Sequence, residues 1–221
     1  MKLKNIGLVM LLVLASFTVS ADIMDEVSGL QKTWAKTNYA MEDDVQEESF
    51  EALMKQADKV IAEYPNDAEG FIWRGIIKSS FAGAKGGLGA MTLVKAAKSD
   101  LEQAILLDGK ALAGSAFTSL GTLYFKVPGW PIGFGDNDKA KELLLKALII
   151  NPEGIDSNYF YASFLAEENH YSEAEKYLLK AQNAAPRSER ALADKGRRDE
   201  INKLLSVVIS KQKQKTTKSL F

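Results

Sequence analysis

The sequence predicts an all-α protein, a solenoid of about nine helices arranged as antiparallel pairs. The first observation is a spacing, because Pro152 and Pro186 stand 34 residues apart and the same pattern of small and apolar residues precedes each. The pattern is Ala, Leu, Ala, at positions 140, 144 and 147 in one copy and 174, 178 and 181 in the other. A period of this length indicates a repeated helix–turn–helix hairpin.

The second observation is the motif that opens one of these hairpins. Phe117, Leu120, Gly121 and Tyr124 follow the aromatic-x-x-Leu-Gly-x-x-Tyr spacing of a tetratricopeptide repeat (TPR). No segment alternates apolar and polar residues as a half-buried strand would. The predicted fold is therefore a TPR-like α-solenoid, a class of protein that binds other molecules along a groove.

The chain divides into three parts. Residues 1–21 have the positively charged start, short apolar stretch and small-residue end of a signal peptide, with cleavage expected after Ala21. Residues 22–210 are predicted to form the TPR-like repeat domain, and residues 211–221 a disordered basic tail. We therefore expect export across the inner membrane, to the periplasm in a Gram-negative bacterium, with no stable membrane insertion after cleavage.

In chain order, the pairs are justified by small and apolar residues at helical spacing. The first has a poorly matching helix over 27–40 and a second helix ending before Pro65; the next has helices around 71–75 and 97–104. Two pairs follow, at 117–147 and 158–181, and an amphipathic terminal helix is expected over 188–209. Small residues at 75, 97, 121, 140, 162 and 174 are predicted to let neighbouring helices approach closely.

Two insertions interrupt the turns within helix pairs. About ten extra residues lie inside 80–89, which we interpret as a flexible or tightly turned connector, and seven lie within 127–135. Equivalent turns of a solenoid fall on one edge, so we expect the two insertions side by side, with Trp130 near the 81–89 segment or the mouth of the groove.

The composition and motifs argue against an enzyme. The chain has no cysteine and one histidine, His170, so disulfides, thiolate metal sites and a cysteine nucleophile are excluded. The glycines at 83–89 fit neither phosphate-binding pattern and follow a helix instead of a strand. We predict no catalytic residue, no cofactor and no metal site, and no nucleic-acid partner.

The candidate binding residues are those that the first helix of each pair turns into the groove, together with aromatic residues of the second insertion. None of them carries a charge, so an apolar ligand or an apolar segment of a partner fits best, unless the terminal helix or the insertions fill the groove. The candidates are Ile72, Ile76, Thr118, Thr122, Phe125 and Tyr159, with Trp130 and Phe134 from the insertion.

Three sequence stretches between positions 83 and 201 carry a resemblance to a known group: 127–136, 151–156 and 191–198. The chain resembles exported bacterial TPR proteins and, more distantly, the T component of TRAP transporters, with Gly135-Asp136 and Lys139-Ala140 as the shared element. That likeness implies a periplasmic helical-repeat protein that hands hydrophobic ligands to a substrate-binding partner.

Two functions follow from these observations. The first is an exported binding protein that takes a partner protein or a hydrophobic small molecule in its groove, as an accessory to transport. The alternative is a structural protein–protein scaffold in assembly of the cell envelope.

Overall fold

A computed structural model describes residues 22–218, a range that holds nine α-helices and no strand. The predicted fold class is confirmed, whereas the predicted signal peptide, residues 1–21, lies outside the described residues. A single 3-10 turn, Ser188–Arg190, precedes the last helix. The helices are α1 (Ile23–Ala40), α2 (Asp43–Glu63), α3 (Ala68–Lys85), α4 (Gly87–Asp108), α5 (Ala111–Lys126), α6 (Asn137–Ile150), α7 (Ile155–Glu167), α8 (Tyr171–Gln182) and α9 (Ala191–Lys218).

Consecutive helices pack as the pairs α1/α2, α3/α4, α5/α6 and α7/α8, and both helices of each pair contact the first helix of the next pair. The buried core follows the stack as three clusters, built from α1–α3 with Ala193 of α9, from α3–α6 and from α5–α9. No described helix is both long and apolar enough to cross a membrane.

The small residues have the packing role that the repeat pattern predicted. A Cβ placed on Gly75 would lie 2.7 Å from Leu101 Cγ, and one on Gly121 would lie 2.8 Å from Leu144 Cγ. Both distances are shorter than carbon atoms tolerate, so each glycine lets the second helix of its pair approach closely. The small residues at 97, 140, 162 and 174 are fully buried between helices.

The first predicted insertion is not a loop. Helices α3 and α4 absorb it by extending towards each other, and only Gly86 lies between them. The extension of α3 is stabilised by Phe81, which is buried and stacks on Phe50 with ring centres 5.7 Å apart. The helix ends at Gly86 because that residue adopts φ +62°, which glycine tolerates and other residues rarely do. The tightly turned form of the connector is therefore the correct one.

The second insertion is a compact loop, residues 127–136. Its backbone closes on itself, because the amide of Gly135 donates to the Pro128 carbonyl at 3.0 Å. The Trp130–Pro131 bond is cis. Asp136 then caps α6 by accepting from the Lys139 amide at 2.9 Å.

This loop lies against the beginning of α4, near the first insertion. A Cβ on Gly133 would be 3.4 Å from Met91 Cε, two residues after the 81–89 segment. Trp130 itself points away, with 90% of its surface exposed. The expected contact of Trp130 with the groove mouth is therefore not seen.

The terminal helix α9 packs on α7 and α8 and reaches back to α1, so the two ends of the stack meet. Ala193 is buried in the same cluster as Val27 and Trp34 of α1. Gly196 sits against Tyr39, whose Cδ1 would be 2.4 Å from a Cβ at that position. These contacts close the solenoid on the side where the groove was expected, so that the terminal helix covers the groove.

Helix α9 also corrects the predicted tail. It continues through Lys218, so residues 211–218 are helical where disorder was expected from position 211 on. Gln212 helps to hold this extension, because its side-chain amide donates to the Tyr171 carbonyl at 3.0 Å and to Glu175 Oε2 at 2.7 Å. Residues 219–221 lie outside the described part of the chain.

Candidate functional site

The solenoid forms a partly open cavity of about 310 Å³ between its first helices and α9. One wall consists of α1, α3, α5 and α7, the first helices of the four pairs, which is the side on which the repeat geometry placed the groove. The opposite wall is the 3-10 turn and α9. The cavity is lined by Trp34, Asn38, Tyr39, Trp73, Ile76, Ser79, Ser80, Ser115, Thr118, Ser119, Thr122, Leu123, Lys126, Asp156, Tyr159, Phe160, Ser163, Arg187, Arg190, Ala193, Arg197 and Glu200.

The structure brings four of the candidate residues together in this cavity: Ile76, Thr118, Thr122 and Tyr159. They share one position in the repeat, on the face of a first helix that points away from its second helix. That they bind a ligand stays a prediction.

Two other candidates, Ile72 and Phe125, lie in the core. Ile72 is fully buried in the cluster between α3 and α5. Phe125 packs edge-on against Phe164 of α7, with ring centres 5.7 Å apart. Each is part of the contact between successive repeats, where apolar bulk fills the space between first helices, and neither lines the cavity.

The candidates from the insertion loop also lie outside the cavity. Phe134 packs edge-on against Tyr124 at 5.5 Å between ring centres, and Lys98 Nζ lies 5.8 Å from the Phe134 ring centre. This arrangement fastens the loop to the outer side of α4 and α5. Trp130 remains exposed to solvent.

The inner wall is aromatic with a scatter of hydroxyl groups. Trp34 and Trp73 meet edge-on, with ring centres 5.7 Å apart, and Trp34 Nε1 donates to Ser80 Oγ at 2.9 Å. Ser79 and Thr122 donate to the carbonyls of Gly75 and Thr118, four residues earlier in their own helices, both at 2.8 Å. Because these hydroxyls are already engaged with backbone, the wall is only mildly polar.

The outer wall carries charge, which sequence reasoning missed. Asp156, in the first turn of α7, accepts from Arg187 Nη1 at 2.7 Å and from Arg197 Nε at 2.8 Å. Arg187 Nε also donates to Asp194 Oδ1 at 2.7 Å, and Arg197 pairs with Glu200. The prediction of an uncharged groove considered only the first helices, whereas these arginines come from the 3-10 turn region and α9.

Asp156 is the centre of this charge network. Burial alone would raise the pKa of its carboxyl group, but the positive charges of Arg197 and Arg187 outweigh that effect and hold the pKa well below its usual range. Asp156 therefore stays ionised and links α7 to the wall formed by the 3-10 turn and α9, which we call the closing wall.

Arg197 packs on two neighbouring rings, since its guanidinium carbon lies 4.5 Å from the ring centre of Tyr159 and 4.4 Å from that of Phe160. Such stacking favours arginine over lysine, whose ammonium group is not planar. Arg190 differs from its neighbours: it lies over Trp73, 5.3 Å from the ring centre, and pairs with no carboxylate in the described range.

The arrangement is suited to holding a molecule. Residues 22–218 contain no group of three His, Cys, Asp or Glu side chains positioned to bind a metal ion. The Asp156 carboxylate accepts from two arginines and its pKa is held below the usual range, which makes it a weak general base.

The match to a protein-family model agrees with the helical-repeat fold. The family model described as tetratricopeptide repeat matches residues 132–197, from the insertion loop into α9. Crystal structures of MamA align with TM-scores of 0.44; one is 18% identical and covers 88% of this chain and 96% of its own, and another is 19% identical and covers 76% and 92%. No curated protein matches the chain.

Proposed function

We propose that this chain is a non-enzymatic, exported binding protein that holds a small apolar or amphipathic molecule inside its closed solenoid. The observation that carries the proposal is the contact of α9 with α1, which converts an open groove into a cavity. The volume of this cavity, about 310 Å³, lies at the small end of the range for ligand pockets, roughly 300–1,000 Å³. An α-helix with its side chains is about 10–12 Å wide, so the cavity fits a small molecule better than a partner helix.

A periplasmic place and an accessory role in transport are further parts of the proposal. The place rests on the signal-peptide pattern of residues 1–21, with Lys2 and Lys4 before the apolar stretch. The transport role rests on the resemblance of the loop and of Gly135-Asp136 to the TRAP T component. A carrier of apolar molecules needs an enclosed site, because water around an apolar ligand is unfavourable.

The second candidate function is a protein scaffold of the cell envelope. The observation in its favour is the insertion loop, where Trp130 and Ile132 are 90% and 70% exposed. Exposed tryptophan is enriched at protein–protein contacts and is costly to leave in water. The two functions are compatible, since this loop and the cavity are separate surfaces.

Binding of the neutral dye Nile red tests the cavity function. Ser119 lines the cavity from α5, so Ser119→Trp should fill the space and abolish dye binding while the fold survives. Ser206 is an exposed serine of α9, and Ser206→Trp is the matched control that should leave binding unchanged. Circular dichroism of both variants checks the fold.

The native ligand is sought in the same experiment by solvent extraction and mass spectrometry of protein isolated from its own periplasm. A bound lipophilic molecule, on a chain that begins at Asp22, supports the proposal. Equal dye binding by wild type and Ser119→Trp would show that the cavity is not the site, and the scaffold function would then be favoured.

A further inference from the structure

Two buried hydrogen-bond donors of the cavity lack an acceptor. Trp73 is 3% exposed, and its buried Nε1 has no hydrogen-bond partner. The Nε atom of Arg190 is also buried and also has no hydrogen-bond partner. Both side chains line the cavity, one from each wall, and the guanidinium carbon of Arg190 lies 5.3 Å from the Trp73 ring centre. Buried donors are almost always satisfied, so two together mark a place for an acceptor.

The protein's own carboxylates do not serve these donors. Asp156 is shared by Arg187 and Arg197, Asp194 is bound by the side chain and the backbone amide of Arg187, and Glu200 pairs with Arg197. Lys126, the remaining cation of the cavity wall, pairs with Glu167. Within residues 22–218, Arg190 is thus the cavity cation that has no anionic partner.

The surroundings of Arg190 are unfavourable to its charge. Burial and the neighbouring positive charge of Arg187 together lower the pKa of its guanidinium below the usual value. An acceptor that carries a negative charge would relieve this cost, whereas a neutral acceptor would only complete the hydrogen bonds.

We propose that the cavity binds small carboxylic acids with an apolar body, and that Arg190 and Trp73 Nε1 anchor the carboxylate. This inference rests on the proposed function and specifies the chemical class of the ligand. One open guanidinium fits a monoanion, because the charges of Arg187 and Arg197 are already matched. The apolar body lies on the aromatic wall, along Ile76 and Tyr159.

A carboxylate of this kind has two sources: a free organic acid or the C-terminus of a peptide. The cavity volume of about 310 Å³ favours the free acid. The experiment therefore includes octanoate and its neutral counterpart octanamide, and a hexapeptide ending in Phe with a free or an amidated C-terminus.

Isothermal titration calorimetry of the full chain measures affinity for each probe. We expect octanoate to bind more tightly than octanamide, and Arg190→Gln to weaken octanoate by about 10- to 100-fold, the range for a charge-assisted hydrogen bond. Binding of octanamide should change by less than about threefold, because a neutral group gains little from the charge. Trp73→Phe should weaken octanoate by about 3- to 10-fold through loss of one neutral donor.

Lys195→Gln is the control, since Lys195 is an exposed cation of α9 that lies outside the cavity and pairs with Asp199. It should leave octanoate affinity unchanged, and retained octanamide binding shows that Arg190→Gln still folds. If the peptide with a free C-terminus binds and octanoate does not, the anchoring role of Arg190 and Trp73 stands, and the carboxylate is identified as the C-terminus of a partner.

Equal affinity for octanoate and octanamide, or no loss of octanoate binding in Arg190→Gln, would overturn the inference. If none of the acids binds while Ser119→Trp still abolishes Nile red binding, the anchor is refuted and the proposed function stands. If no acid binds and Ser119→Trp leaves Nile red binding unchanged, both the carboxylate anchor and the proposed function are refuted.

Discussion

The carboxylate of Asp156 joins the two walls of the cavity. It lies on α7 and accepts hydrogen bonds from Arg187 and Arg197 of the closing wall. The sequence places Asp156 in the first turn of a helix, where an acidic residue is ordinary. Its role was not predictable, because the arginines that bind it are 31 and 41 residues away along the chain.

Replacement Asp156→Asn should lower the free energy of unfolding by about 2–3 kcal/mol, because two arginines lose their shared anion. A fully buried pair typically costs ~3–5 kcal/mol when broken, but 31% of the Asp156 side chain is exposed, so the expected loss is smaller. Urea denaturation at pH 7 measures the change. Lys195→Gln, which removes half of an exposed pair with Asp199, is a control with an expected change below about 1 kcal/mol.

The same experiment has a signature in pH. The pKa of Asp156 is lower in the folded state than the unfolded value of about 3.9, so its contribution is fully present well above that pH and is lost as the pH falls towards the folded pKa. The stability difference between wild type and Asp156→Asn should therefore shrink below about pH 4. A difference that is constant between pH 7 and pH 3 would contradict this role.

At the scale of helices, the positions where the chain must be small were predictable. The aromatic-x-x-Leu-Gly-x-x-Tyr motif marks Gly121, and the structure places Leu144 against it. The motif has this predictive power because it records a contact within one pair, between residues close in sequence. Local periodicity also predicted where α6, α7 and α8 lie.

Gly121→Ala should therefore destabilise the protein, although alanine is the better helix former. Overpacking against Leu144 costs ~1–3 kcal/mol and the gain in helix propensity is up to ~1 kcal/mol, so we expect a net loss of about 1–2 kcal/mol. Gly29→Ala is the matched control, because Gly29 is exposed in α1 with open space around it, and it should gain about 0.5–1 kcal/mol. In thermal unfolding, we expect the melting temperature to fall for Gly121→Ala and to rise for Gly29→Ala. A higher melting temperature for Gly121→Ala would refute the close contact with Leu144.

Other features of the helices were hidden from the sequence. Helix α5 begins with Leu112, Ala113 and Gly114 in the left-handed region, at φ 46°, 55° and 74°, and only the glycine gave a local signal. Helix α3 extends through the first insertion because the Phe81 ring stacks on that of Phe50, which lies on α2 of the preceding pair. The extension of α3 thus depends on a contact between two helix pairs, which the local sequence pattern does not record.

At the scale of the whole molecule, a repeat period predicts a stack but says nothing about whether its ends meet. Ile76 and Tyr159 could be assigned to the inner surface because first helices face inward in every repeat. Arg190 and Arg197 could not, because they follow the last repeat, where the period stops. The closing contact, Gly196 on Tyr39, pairs residues from opposite ends of the chain.

The meeting of the two ends is the central claim, because the cavity and its charged wall exist only if α9 contacts α1. A disulfide between positions 39 and 196 tests it most directly. Tyr39 Cγ lies 2.6 Å from the site of a Cβ at Gly196, and Tyr39 Cβ is one bond away from Cγ. The two Cβ atoms are therefore no farther apart than the roughly 3.5–4.5 Å that a disulfide spans. The natural chain has no cysteine, so Tyr39→Cys combined with Gly196→Cys can form no other intramolecular bridge.

The matched control combines Tyr39→Cys with Ser206→Cys, an exposed position of α9 ten residues beyond Gly196. Under mild oxidation, we expect the 39/196 variant to migrate faster on a non-reducing gel, to lose the mass of two hydrogens and to melt at a higher temperature, while the control remains a dithiol. A 39/196 variant that keeps both thiols free, or forms only intermolecular dimers, would show that the solenoid is open and would contradict the account.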